Sequence, residues 1–268
     1  MHYGILGTTT AQHDDGTPAP LGGARLRALL AALVLRQGRP VPAEVLAAEV
    51  WADEPPQDPA AALQTLVGRL RRTIGRAAVG SGPGGYWLTE DQSDLTRFQE
   101  LAARGTAALA AGEAATAAPL LREALALWRG PALADLPDRA GSAVRLEAQR
   151  TEAHRARIAA DLALGRAAEL LAELAGLTAD HPLDEPLQVL WIRALHGAGR
   201  TAQALEQYEK VRRALAEQLG ADPGAELRAV HQELLRPAPA PPRPAPPRRR
   251  SRRRHPHPPR RLLPSPAT

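Results

Sequence analysis

The sequence predicts a mainly helical protein with a small β component and a disordered tail, and three observations lead to this fold class. Residues 1–98 mix strand and helix signals, whereas residues 99–236 show the apolar spacing of helices almost throughout. Residues 237–268 hold 12 Pro and 9 Arg, which offer no apolar face to bury and few backbone donors. We therefore expect two folded domains, over 1–98 and 99–236, followed by a tail without fixed structure.

The first region begins with a short hairpin and continues with helices. The apolar run Tyr3–Gly7 precedes the turn residues Asp14–Gly16, and a second extended stretch ends at Leu21. Apolar residues then recur at helical spacing over residues 25–37 and 42–51. Each of these two stretches predicts one amphipathic helix that buries its apolar face.

A third helix, predicted over residues 60–74, separates apolar from polar side chains. Asp58 and Pro59 supply the N-cap and first-turn signals. The apolar arc consists of Leu63, Val67, Leu70 and Ile74. The opposite side carries Gln64, Thr65, Gly68, Arg71 and Arg72, and the same stretch adds Arg69 and Arg76. No acidic residue lies between Asp58 and Glu90, so the polar face is neutral to basic and suits an acidic groove.

A glycine-rich segment follows this helix. Gly80–Gly85 predicts a flexible loop, and Tyr86–Leu88 predicts a short strand. Strand, three helices, glycine-rich loop and strand is the element order of a winged helix-turn-helix domain. In such a domain the third helix enters the major groove of DNA and the loop approaches the minor groove, although a plain hairpin turn is an alternative interpretation of the loop.

The second region contains an internal repeat. Leu164-Gly165-Arg166 recurs as Ala198-Gly199-Arg200, a shift of 34 residues, and a weaker copy starts at Gly112. This period is typical of tetratricopeptide units, in which stacked helix pairs form a concave, usually protein-binding surface. We expect Trp51, Trp128 and Trp191 to be packing residues on the apolar helical faces.

In order and spacing, several short motifs resemble the AfsR/SARP regulators, which are actinobacterial transcription activators often tied to secondary metabolism. The motifs are Arg27–Leu30, Leu46–Trp51, Leu63–Thr65 with Arg69–Arg72, Gly85-Tyr86, Asp94 with Phe98, Ala124–Gly130, His181–Leu183, Ala198–Arg200 and Leu219–Pro223. The resemblance covers residues 3–236. It implies an OmpR-like winged helix followed by a bacterial transcriptional activation domain of tetratricopeptide type.

The resemblance also implies a DNA-binding site on the third helix. Arg71 and Arg72 are candidates for guanine or phosphate contacts, and Gln64 and Thr65 for base edges. Arg25 and Arg27 are expected near the DNA backbone. Gly68, Arg69 and Arg76 complete the candidate DNA-binding residues. The alternative is a merely solvated helix face.

The chain departs from the family at three positions of this domain. Leu66 replaces an aromatic residue, Gly68 a small polar residue and Trp87 an arginine of the wing strand. The base preference is therefore expected to differ from that of other members. Asp94 with Arg97 is expected to dock the winged helix on the helical domain, with an ordinary helix N-cap as the alternative.

The net charge of +5 belongs to the tail. Without its nine arginines, 25 basic side chains stand against 29 acidic ones, and residues 1–236 carry a net charge of −4. Any DNA-binding surface of the folded region must therefore be a local basic patch. The runs Arg248–Arg250 and Arg252–Arg254 are expected either to bind phosphates without sequence preference or to be an inert appendage.

Composition argues against several other classes of protein. The chain has no Cys, its eight His are scattered, and no nucleophile elbow or phosphate loop occurs. We expect no catalysis, no metal, no cofactor and no membrane span, and a cytoplasmic, nucleoid-associated protein. The expected partners are double-stranded DNA with direct repeats, RNA polymerase with its sigma factor, and a second copy on DNA. A tetratricopeptide-type adaptor that binds protein is the alternative.

Overall fold

A computed structural model describes residues 1–90 and 92–236. The predicted tail, 237–268, lies outside the described residues. The described part forms these helices and strands: β1 His2–Gly4, β2 Thr10–Gln12, α1 Ala24–Leu35, α2 Ala43–Trp51, α3 Pro59–Ile74, β3 Val79–Gly82, β4 Gly85–Leu88, α4 Asp94–Ala110, α5 Ala114–Ala126, α6 Ala140–Ala163, α7 Ala167–Asp180, α8 Glu185–Gly197, α9 Thr201–Leu219 and α10 Ala225–Leu235. The mainly helical class and the winged helix-turn-helix order are confirmed.

The N-terminal helices pack around a closely filled core. Leu29, Leu30 and Leu33 of α1 are completely buried, as are Leu46 of α2 and Leu70 of α3. Asp58 caps α3 by accepting a hydrogen bond from the Ala61 amide at 3.0 Å. The predicted helix bounds agree with those observed to within two residues.

The predicted flexible loop Gly80–Gly85 is wrong in part. Gly80–Gly82 belongs to β3, which pairs antiparallel with β4 in the register Val79 to Leu88 and Gly80 to Trp87, so that only two residues form the turn. Cross-strand pairing prevails over the glycine content because the indole of Trp87 covers Gly80. We call this hairpin, Val79–Leu88, the wing.

The part of the wing next to its turn is joined to the connection between α1 and α2. The Val41 amide donates to the Tyr86 carbonyl, and the Tyr86 amide donates to the Val41 carbonyl, each at 2.9 Å. Gly85 has φ +106°, and a Cβ there would lie 1.8 Å from the Val41 carbonyl oxygen. Only glycine fits this position, and the pairing holds the turn end of the wing against the connection between α1 and α2.

The helical repeat is confirmed by backbone conformation. Gly112, Gly165 and Gly199 follow α4, α6 and α8 with φ of +79°, +77° and +78°, so all three turns are equivalent, including the weaker copy. The pairs α4–α5, α6–α7 and α8–α9 succeed one another, and α10 covers the end of α9 through Leu227, Val230 and Leu234. Because such units bury their apolar faces against neighbours, they stack.

One hydrophobic core runs from Tyr3 through the winged helix into α6, where it reaches Ala160. Trp128 is buried in it, edge-on to Phe98 with ring centroids 5.3 Å apart. Trp51 and Trp191 also pack at the edges of hydrophobic clusters, as expected. The predicted boundary at residue 98 falls within α4 and stays a prediction. Among the described residues, none of the helices is long and apolar enough to cross a bilayer.

Candidate nucleic-acid interface

The structure places the predicted site residues on and around α3. This helix buries Leu63, Leu66, Val67, Leu70 and Ile74. Its opposite face exposes Gln64, Thr65, Arg69 and Arg72, and Arg76 follows exposed in the next turn. Leu66, at the position where the family has an aromatic residue, belongs to the buried face and not to the polar one.

Three of the exposed arginines have no side-chain partner in the described part of the chain. Arg69, Arg72 and Arg76 form no ion pair or side-chain hydrogen bond with any residue of 1–90 or 92–236. The Thr65 hydroxyl donates to the Ala61 carbonyl of its own helix at 3.0 Å. The guanidinium groups of Arg69, Arg72 and Arg76 are therefore available to an external anion, as a DNA-binding face requires.

Gly68 is half-buried in the middle of this face. A Cβ at Gly68 would meet no described atom within 4 Å. Packing within the described chain therefore does not require glycine here. Glycine nevertheless occupies the position, and it lowers helix stability by about 1 kcal/mol relative to alanine.

Arg71 lies at the edge of α3 and is bound to the wing. Its Nε and Nη2 donate to the Val79 carbonyl at 3.0 and 2.8 Å, and Nη2 also donates to the Ser81 hydroxyl at 3.0 Å. The side chain is half-buried. A DNA contact by Arg71 stays a prediction. The wing bonds use Nε and Nη2, and Nη1 has no partner among the described residues.

Arg25 and Arg27 also have protein partners. Arg25 donates to the Val50 carbonyl at 2.6 Å and pairs with Glu54 at 2.9 Å. Arg27 pairs with Asp135, Nε to Oδ1 2.8 Å, with the two side chains 30% and 12% exposed. A contact of either arginine with the DNA backbone stays a prediction. In the structure, carboxylates already occupy both guanidinium groups and would compete with DNA phosphates for them.

Asp135 connects two distant parts of the chain. Its second oxygen accepts the Thr9 amide at 2.7 Å. Burial would raise the pKa of Asp135, but the hydrogen bonds from Arg27 and Thr9 outweigh it and hold the pKa below its usual value. Asp135 therefore stays ionised at neutral pH and holds α1 and the N-terminal segment together.

A second contact between the same parts involves Asp94. Its carboxylate accepts the amides of Ile5 and Leu6 at 2.8 and 3.1 Å and pairs with Arg129 at 2.9 Å. The docking role expected of Asp94 is confirmed, and the N-cap of α4 is Ser93 instead. Arg97 pairs with Glu123 of α5, and its docking role stays a prediction.

The contacts of Asp94 and Asp135 form what we call the seam: residues 5–9 and Arg27 on one side, Asp94 and residues 129–135 on the other. The Arg129 amide donates to the Leu6 carbonyl at 2.7 Å, and its guanidinium donates to the Thr8 carbonyl at 3.0 Å. Sequence reasoning missed Arg129 and Asp135. Nothing in the local sequence indicates these contacts, since the Thr8 carbonyl bound by Arg129 and the Thr9 amide bound by Asp135 lie more than 100 residues away in the chain.

Comparison with known proteins supports this assignment of regions. Residues 20–81 match the family "Transcriptional regulatory protein, C terminal", and residues 93–235 match "Bacterial transcriptional activator domain". The regulatory protein DnrI of Streptomyces peucetius is 37% identical over 257 residues, which cover 89% of this chain and 93% of DnrI. The chain belongs to the SARP family of transcriptional regulators. This SARP regulator has α3 inside the first matched region, and Asp94 and residues 129–135 of the seam inside the second.

Two longer relatives extend the comparison. The regulatory protein AfsR of Streptomyces coelicolor is 41% identical over 245 residues, 90% of this SARP chain but 25% of AfsR. A solved structure of Mycobacterium tuberculosis EmbR in complex with a low affinity phosphopeptide superposes with a TM-score of 0.80. It is 37% identical and covers 87% of this chain and 64% of the EmbR chain. The chain thus spans about a quarter of AfsR and under two thirds of EmbR.

Proposed function

We propose that this transcriptional regulator is an activator that binds double-stranded DNA sequence-specifically through the exposed face of α3. The observation that carries the proposal is a set of exposed arginines without a partner among the described residues, Arg69, Arg72 and Arg76, in a chain segment, 59–89, that has no acidic residue. The folded region is otherwise net acidic, so a cationic patch at this site is a local feature and not a general property of the surface.

The exposed residues suit different contacts. Arg72 and Arg69 are suited to guanine or phosphate, because a guanidinium donates two parallel hydrogen bonds. Gln64 and Thr65 are suited to base edges in the major groove. Arg76, beyond the end of α3, is suited to a phosphate. Gly68 lies among them and allows a close approach of DNA to the helix.

The finer parts of the proposal rest on the family. We propose binding to direct repeats near promoters of secondary-metabolite genes, pairing of two copies on DNA, and contact with RNA polymerase or its sigma factor. Action in the cytoplasm at the nucleoid follows from these partners. The proposal includes no catalytic step and no cofactor.

The test is a fluorescence-anisotropy titration with labelled promoter DNA from the gene's own neighbourhood, with scrambled duplex as competitor. We expect Arg72→Ala in the full chain to weaken specific binding by about 2 kcal/mol and to reduce the salt slope by about 1. Arg104→Ala is the matched control and should bind like the wild type, because Arg104 of α4 is exposed and has no partner within residues 1–90 and 92–236. Equal binding by all three proteins would exclude α3 as the DNA contact.

The second candidate function is a protein-binding adaptor. A groove of about 870 Å³ lies between α4 and α6, lined by small residues that include Ala103, Ala107 and Ala148. Such a groove is where tetratricopeptide proteins take up partners. An adaptor would keep its partner when Arg72 is replaced. Full-length protein that binds every duplex equally, through the arginines of residues 237–268 alone, would favour this candidate.

A further inference from the structure

Arg71 of α3 bonds to the inner face of the wing, in addition to the burial of Val79 and Leu88 in the core and the pairing of Tyr86 with Val41. The guanidinium of Arg71 donates to the Val79 carbonyl from two nitrogens, and to the Ser81 hydroxyl from one of them. These acceptors belong to the first and third residues of β3. One planar group therefore fixes the strand at two points. Lysine, with a single ammonium group, cannot reproduce this geometry.

The outer face of the wing is covered by Trp87. A Cβ built on Gly80 would lie 2.3 Å from the indole, and one on Gly82 would lie 3.4 Å from it. The indole thus occupies the space above both glycines of β3, which have no side chains of their own to pack. Aromatic cover of this kind stabilises glycine-containing strands. Arg71 and Trp87 together restrain β3 from opposite faces.

The wing has no charged side chain between Val79 and Leu88. It cannot gain affinity for DNA by neutralising phosphates, which is the main source of non-specific attraction. Any contribution of the wing to DNA binding must come from backbone donors and from shape, and both depend on where the wing is held relative to α3.

We infer that Arg71 is a positioning residue that fixes β3 of the wing relative to α3, and that the contribution of the wing to DNA affinity depends on this contact. The inference rests on the proposed function of α3. Arg71 and Arg72 are adjacent in sequence but have different roles. Arg71 acts through the wing, whereas Arg72 is exposed, without a partner in the described chain, and touches DNA directly.

The test uses the full chain and a labelled duplex enriched from random DNA by repeated binding to the wild-type protein. Arg71→Lys keeps the charge but loses the paired donors, so we expect about tenfold weaker binding with an unchanged salt slope. Arg72→Ala should instead reduce the slope by about 1. Arg104→Lys is the matched control and should bind like the wild type.

A double-mutant cycle tests whether Arg71 acts through the wing. Trp87→Ala releases the outer face, and the double variant with Arg71→Lys should lose no more affinity than about the larger single loss. Additive losses, or an Arg71→Ala variant whose salt slope falls as that of Arg72→Ala does, would assign Arg71 to DNA and overturn the inference.

A measurement without DNA separates this inference from the proposed function. Amide hydrogen exchange of residues 80–86 should accelerate about tenfold in Arg71→Lys, while that of α7 stays unchanged. Unchanged exchange overturns the wing contact. Wild-type protein that binds enriched and scrambled duplexes equally overturns the proposed function and the DNA part of the inference. Discrimination by the wild type that Arg71→Lys fully retains overturns the inference alone.

Discussion

Two basic regions of this molecule have opposite surroundings. On α3, Arg69 and Arg72 point to solvent without a partner among the described residues. At the seam, Arg27 and Arg129 are paired with Asp135 and Asp94. All four are arginines on or beside helices, and nothing in their local sequence separates the two kinds. The difference shows that a protein partner, and not residue type, distinguishes an arginine that holds the fold from one available to a ligand.

The pairing of the seam has a structural consequence for the domains. The winged helix and the helical repeats are not joined by a linker alone, because one hydrophobic core runs through both. Backbone groups of residues 5–9 also form hydrogen bonds with residues 129–135. An unpaired backbone amide in a buried place costs about 1–3 kcal/mol. The seam is thus part of the folded unit and not an optional contact between two independent domains.

Removing one side of the seam is the largest expected effect. A fragment of residues 1–112 keeps the winged helix and all of α4 but lacks Arg129 and Asp135. We expect this fragment to show no cooperative unfolding transition in urea, whereas residues 1–236 unfold cooperatively, because Phe98 and the N-terminal segment lose their packing and hydrogen-bond partners. A cooperative transition of 1–112 near the midpoint of 1–236 would show that the winged helix is independent.

A single substitution at the seam should have the next largest effect. Asp135→Ala leaves Arg27 and the Thr9 amide without their acceptor, and we expect the free energy of unfolding to fall by about 2–3 kcal/mol in urea titrations. Glu123→Ala is the matched control, because its pair with Arg97 is about half exposed on both sides. That control should lose less than about 1 kcal/mol. Equal losses would mean that the seam is no stronger than a surface ion pair.

The same carboxylate predicts a dependence on pH. The pKa of Asp135 is lower in the folded chain than in the unfolded one, so its stabilisation is present above the unfolded value of about 3.9 and is lost as pH falls through the folded value. The difference in unfolding free energy between wild type and Asp135→Asn should therefore be constant from pH 7 to 5 and should shrink below about pH 4. A difference that persists unchanged at pH 3 would contradict the role of the charge.

Local periodicity explains what the sequence predicted well. The helices of the winged domain, the buried arc of α3 and the three equivalent glycine turns all depend on residues within one or two turns of each other. The seam could not be predicted in full, because Arg27 and Asp135 are 108 residues apart and share no motif. The contact of Arg71 with the wing could not be predicted for another reason. Its main acceptor is the main-chain carbonyl of Val79, and every residue has such a carbonyl, whatever its side chain.

The smallest expected effect sharpens the comparison most, because it has opposite signs in stability and in DNA binding. Gly68 lies on the unpaired face of α3, where an added methyl group would meet no described atom within 4 Å, and Gly176 of α7 has the same open surroundings. Replacing either by alanine should stabilise the chain by about 0.5–1 kcal/mol in urea titrations, because glycine loses more conformational freedom in a helix.

Only Gly68→Ala should weaken binding to the enriched duplex, by severalfold, since the added methyl group meets the DNA that approaches this face. Gly176→Ala controls for the gain in stability. If Gly68→Ala binds as tightly as Gly176→Ala, DNA does not come close to the middle of α3, and the unpaired arginines serve another anion.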